Sequence, residues 1–197
     1  MSVWAATLLA AADGDFMKSK VSFKVSLGGV VSSICLFAMF LTGIMPIFVY
    51  ALPAAAGTLM IIIVVEISTT WAFVTYISVG LLSLLITPDK EASILFILFF
   101  GFYPIIKSQL EKLKVKLFEY LLKLVVFNAG ILLSYLLLIK IMGMSEVLEQ
   151  LGDYGKYGGL IFLAVGNAVF IVYDIALTQL ISTYINWFRP KILRKLK

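Results

Sequence analysis

The sequence predicts an all-α integral membrane protein, a six-transmembrane-helix bundle with both termini cytoplasmic. Three observations carry this expectation. Of 197 residues, 62% are hydrophobic and only 14% charged, with a mean hydropathy of +1.07. Soluble domains are about 45–50% apolar and about 25% charged, and a chain of this length has too much surface to bury such a surplus. Six stretches approach the ~20 apolar residues that a helix needs to cross a hydrocarbon core. Lysines and arginines gather in clusters that share one side when the number of spans is even. Strand-like alternation is absent, which argues against a β-barrel.

Residues 1–16, MSVWAATLLAAADGDF, are broken by Asp13 and Gly14 and lack the basic start of a secretory signal. They read as an N-terminal extension, either non-native or a short interfacial helix. Met17 opens MKSKVSFK, and residues 17–197 form a single six-helix transmembrane domain. The first span, Ser26–Tyr50, is punctuated by Gly43 and Pro46. The second is Ala51–Ser68, the third Trp71–Thr87 and the fourth Ala92–Ile106. The fifth is Leu117–Met142 and the sixth Gly158–Trp187. The second to fourth are short for a full crossing. Between the fourth and fifth, KSQLEKLKVK reads as a helical extension in which Glu111 pairs with lysines at helical spacing.

Orientation follows from the charges. Lys18, Lys20 and Lys24 precede the first span, and Lys107, Lys112, Lys114 and Lys116 follow the fourth. Arg189, Lys191, Arg194, Lys195 and Lys197 follow the sixth. Six spans put all three clusters in the cytoplasm and make the chain a multi-pass protein of the plasma membrane. The opposite side receives the turn Thr87-Pro88-Asp89-Lys90-Glu91 and the loop 143–157. That turn is either a capped turn, with Asp89 or Thr87 capping the fourth span, or part of a ligand mouth. The connection from Gly43 to Ala54 is either an ordinary loop with aromatic belt residues or a cover over a pocket.

Several chemistries are excluded. A single cysteine, Cys35, permits no intramolecular disulfide, and the absence of histidine removes imidazole zinc sites and His-dependent triads. Walker A, HExxH and GxSxG patterns are missing. The expectation is a protein that is not an enzyme, holds no cofactor or metal and binds no nucleic acid.

The few polar residues inside spans are the functional candidates. Asp174 lies deepest, with Lys123 the nearest cation by depth and Glu66 near the cytoplasmic end of the second span. They are read as a coupling group, or else as an ion pair fixing register with Lys123 and Glu66 reaching to the interface. Asn128 and Asn167 suit either a polar ligand or a helix–helix hydrogen bond. Phe102, Tyr103 and Pro104 read as belt and kink. Gly28, Gly29, Ser32 and Ser33 form small-xxx-small spacings that dock a partner helix or pack within the bundle.

Several features together resemble the substrate-binding S components of energy-coupling factor transporters, the ABC-type vitamin importers. They are the small-residue first helix after Met17–Lys24, the Pro46–Pro53 connection and the basic tail Trp187–Lys197. The stretches YALPAAAGTLMIIIVVE, PDKEASILFILFFGFYP and NAVFIVYDIAL contribute, and the likeness covers about Met17–Lys197. It implies a vitamin-like ligand bound in the outer half, with Tyr50, Asn128 and Asn167 facing it. It also implies a transmembrane coupling subunit, docked near Gly28, Gly29, Ser32 and Ser33, and a pair of ATPases. Those docking residues depart from the family's Ala-xxx-Ala pattern. The rival reading is a non-transport membrane scaffold or partner-regulating subunit, with no outer cavity and a continuous small-residue face.

Overall fold

The computed structural model describes residues 21–113, 115–140, 143 and 158–190. The extension 1–16, Lys18, Lys20, most of the 143–157 loop and the tail beyond Pro190 lie outside these residues. All regular structure among the described residues is helical. Helix α1 is Val21–Leu41, α2 Ala51–Glu66 and α3 Thr69–Ile86. Helix α4 runs over Lys90–Leu110, α5 over Lys116–Lys140 and α6 over Gly158–Phe188. Five of these are long and apolar enough to cross a membrane, and α2 is a shorter apolar helix. At 1.5 Å per residue its 16 residues span about 24 Å. This is the architecture of a multi-pass membrane protein.

The helix ends follow local chemistry. Ser68 caps α3 by accepting from the Trp71 amide at 3.3 Å. Asp89 caps α4 by accepting from the Ala92 amide at 3.2 Å, with Glu91 in the first turn, where the helix dipole favours a carboxylate. Lys90 turns back, and its Nζ donates to the Leu84 and Thr87 carbonyls that α3 leaves free at its end. A Cβ on Gly43 would sit 2.5 Å from Pro88, so the turn after α1 and the turn before α4 touch.

Helix α4 is the most buried of the long helices. It extends one turn beyond the predicted fourth span at its far end, so Lys107 is a fully buried helical residue rather than part of a surface loop. Its middle, Phe96–Phe100, is π-helical. Such wide turns often mark functional positions, and two glycines make room for this one. A Cβ on Gly57 of α2 would lie 2.0 Å from the Phe100 carbonyl oxygen, and one on Gly130 of α5 2.7 Å from that of Leu98.

The core has two parts. Val31, Cys35 and Met39 of α1 pack with Ala56, Met60 and Ile63 of α2, Ala72 and Val79 of α3, and Phe96 of α4. The second part joins α2, α4, α5 and α6 through Phe99, Tyr103, Phe127, Phe170 and Leu177. Helix α6 contributes a narrow stripe, Phe170, Asp174, Leu177, Ile181 and Ile185, spaced by three and four residues. Most of its remaining surface is exposed apolar side chain, including Val165, Val169, Val172 and Ile175. So large an apolar surface is suited to lipid and not to water.

Candidate functional site

The polar groups divide into layers along the bundle. Near the Lys107 end lies a buried cluster of charges. Asp174 accepts hydrogen bonds from Tyr103 at 2.6 Å, from Lys123 at 3.0 Å and from Lys107. Lys107 also pairs with Glu111 at 2.7 Å, and Lys123 pairs with Glu111 at 3.2 Å and Glu119 at 3.1 Å. The exposed Lys116 completes the set on Glu119 at 2.7 Å. Two buried lysines and the exposed Lys116 therefore face three carboxylates, and each buried charge has at least one opposite charge within 3.2 Å, the pairing that burial of charge requires. The predicted Asp174–Lys123 pair is present within it. Lys107, Glu119 and Tyr103 were not predicted members. Their signal was helical spacing: Lys107 is four residues from both Tyr103 and Glu111, and Lys123 is four from Glu119. Tyr103, read from sequence as a belt residue, is instead fully buried with its hydroxyl on Asp174.

Glu66 is not part of this cluster. It ends α2, accepts from the Tyr184 hydroxyl at 3.1 Å and lies 3.1 Å from Arg189 Nε. It ties α2 to the end of α6, so the three residues read as one coupling group occupy two separate sites.

Above the charges is an aromatic layer. Phe127 and Phe170 stack with centroids 4.7 Å apart, and Phe99 meets both edge-on. Phe99 also stacks on Tyr103 at 5.1 Å. On the other side of this layer is a cavity of about 280 Å³ between the π-helical turn of α4, α5 and α6. Tyr50, from the connection after α1, and Tyr135 lie at the end remote from the charge cluster. Lining residues run along α6 from Phe162 to Tyr173, a rise of about 16 Å along the helix. Among the described residues none that lines it is charged. The flank formed by Phe162, Val165 and Val169 belongs to the outward, lipid-suited surface of α6.

Tyr50 lines the cavity, and its hydroxyl donates to Glu91 Oε1 at 2.8 Å; the Tyr135 hydroxyl lies 3.5 Å from the same oxygen. Asn128 and Asn167 do not line it. Each Nδ2 donates to the other's Oδ1, at 2.9 and 3.1 Å, and to its own helix at Leu124 and Leu163. Both N–H groups of each amide are thus used, and none is left to donate to a ligand. The four small residues of α1 separate onto two faces. Gly28 packs near Thr75, with Ser32 half-buried beside it. Gly29 and Ser33 point outward, and nothing lies within 4 Å of a Cβ on Gly29. Among the described residues no acidic or cysteine cluster is arranged to hold a metal ion. No protein family, curated protein or solved structure matches the chain, so these groups carry the functional argument alone.

Proposed function

We propose that this protein is a six-span plasma-membrane protein, with both termini cytoplasmic, that captures a small ligand in the half of the bundle remote from its basic clusters. The carrying observation is the cavity of about 280 Å³ beneath the connection that bears Tyr50. Ligand sites are concave, largely apolar and few per protein, and they favour spaces between the helices of a bundle. An importer subunit energised by partner ATPases, as the resemblance to S components implies, fits a chain that binds ligand but has no nucleotide motif. Gly29 and Ser33, facing outward on α1, are the residues left to dock a coupling subunit. The scaffold reading is less well supported, because it requires a filled outer half and one continuous small-residue face.

The buried charge cluster closes the opposite end. In this reading it fixes α6 against α4 and α5 beneath the cavity and gives the binding half a rigid floor. The test is purification from native membranes in an alkyl-free polymer, followed by mass spectrometry of extracted small molecules and of associated proteins. A stoichiometric small molecule together with an ATPase pair supports the reading. A protein that comes out empty and alone, and is stabilised by no added small molecule, overturns it.

A further inference from the structure

The cavity also limits the chemistry of its occupant. Resting on the ligand-binding reading, we propose that the ligand is a single-chain amphiphile with a cationic amine head. Its alkyl body would lie between α4, α5 and α6, and its head on Glu91 between Tyr50 and Tyr135.

Size and outline specify the body. An apolar cavity of about 150 Å³ holds benzene, so one of about 280 Å³ takes roughly twice as many heavy atoms, about a dozen. The lining extends along about 16 Å of α6. A dozen atoms over that length describe a chain and not a fused ring. With no charged group among the described residues of the wall, a water-soluble vitamin bearing several polar groups would lose its hydration without replacement. The flank at Phe162, Val165 and Val169 belongs to a surface suited to lipid. The ligand therefore reaches the cavity sideways from the hydrocarbon phase.

Charge complementarity specifies the head. Tyr50 and Tyr135 line this end, and their hydroxyls both turn toward Oε1 of Glu91, which stands behind them and outside the lining; no described group bonds to its Oε2. The free capacity at this end is therefore acceptor capacity: a carboxylate oxygen and the phenol lone pairs. The adjacent Lys90 is committed to two backbone carbonyls. An ammonium or amine donor fits this arrangement, and an anionic head would face Glu91 unpaired.

Tritiated dodecylamine and dodecanoate are titrated into the protein in lipid nanodiscs, with protein-free discs subtracted. The expected result is saturable binding of one dodecylamine per chain, with dodecanoate at least about tenfold weaker, as a charge-assisted hydrogen bond implies. Glu91→Gln removes the preference between heads, and Tyr135→Phe weakens it. Gly166→Leu abolishes saturable binding of both probes. Gly166 lines the cavity, and a Cβ there meets Phe127 only at ordinary contact distance, so the backbone accepts the first atom of the new side chain. Equal binding of the two probes to the wild type overturns the head assignment and leaves the ligand-binding reading standing. Saturable binding of a polar ligand such as a soluble vitamin, with neither chain bound, overturns the whole amphiphile assignment. Failure of every ligand class overturns the ligand-binding reading itself. The two wild-type titrations decide the head independently of how any variant folds.

Discussion

Replacing Asp174 by Asn removes one negative charge from a cluster of three lysines and three carboxylates that sums to zero when the exposed Lys116 is counted. Asp174 accepts from Tyr103, Lys107 and Lys123, and Lys107 is fully buried. The amide keeps the shape but leaves the two lysines facing only Glu111 and Glu119. Breaking a buried pair by removing one partner costs about 3–5 kcal/mol, most of it the penalty of an uncompensated charge. Lys107→Met removes the opposing charge and carries a similar cost of about 3–5 kcal/mol. The double variant restores neutrality, so its loss should resemble that of one single variant and not the sum. The resulting coupling energy is at least about 2 kcal/mol, against the ~0.5 kcal/mol within which independent sites add. The assay is reversible unfolding of wild type, both singles and the double in bicelles at one pH. Additive singles, or an Asp174→Asn variant as stable as wild type, would refute the reasoning that these charges act as a unit.

Three further outcomes follow from particular contacts. Tyr173→Phe should leave thermal stability unchanged or raise it by about 1 kcal/mol, because the buried Tyr173 hydroxyl has no hydrogen-bond partner among the described residues; a loss above ~1 kcal/mol in the same unfolding assay would show that it has one. Asn128→Ala and Asn167→Ala should each cost about 0.5–2 kcal/mol through the lost interhelical amide pair, with coupling in the double variant and dodecylamine affinity unchanged by titration. Gly57→Ala should destabilise strongly, by more than ~3 kcal/mol, because its Cβ would overlap the Phe100 carbonyl, whereas Gly29→Ala, with open space around it, should leave the melting temperature of the isolated protein unchanged.

Much of the fold was legible because lipid imposes a simple rule on sequence: long apolar runs bounded by charge. The predicted spans overlap all six helices. The fourth span was cut short because Lys107 and Glu111 read as surface charges. Hydropathy alone does not register that they meet Asp174 and Lys123 from other helices. The π-helical turn at Phe96–Phe100 was invisible for a related reason, since the room for it comes from Gly57 and Gly130, distant in sequence. For the candidate site, the sequence singled out Asp174, Lys123, Glu66, Asn128 and Asn167, but not Lys107, Glu119 or Tyr103 and, apart from the Asp174–Lys123 pair, not the partners of those it named. Asn128 and Asn167 were each suited to a ligand or to another helix, and only their mutual distance shows that they bond to each other. Tyr50 was placed by its position in the connection after α1, while Glu91 acquires its candidate role from two tyrosines 41 and 44 residues away.

The central claim is that the cavity between α4, α5 and α6 holds a ligand. The most direct measurement is its occupancy in protein extracted with an alkyl-free polymer, comparing wild type with Gly166→Leu by quantitative mass spectrometry. The account predicts about one chain-like amphiphile per wild-type molecule and none retained by the variant. The same molecules recovered in the same amounts from both proteins would contradict it.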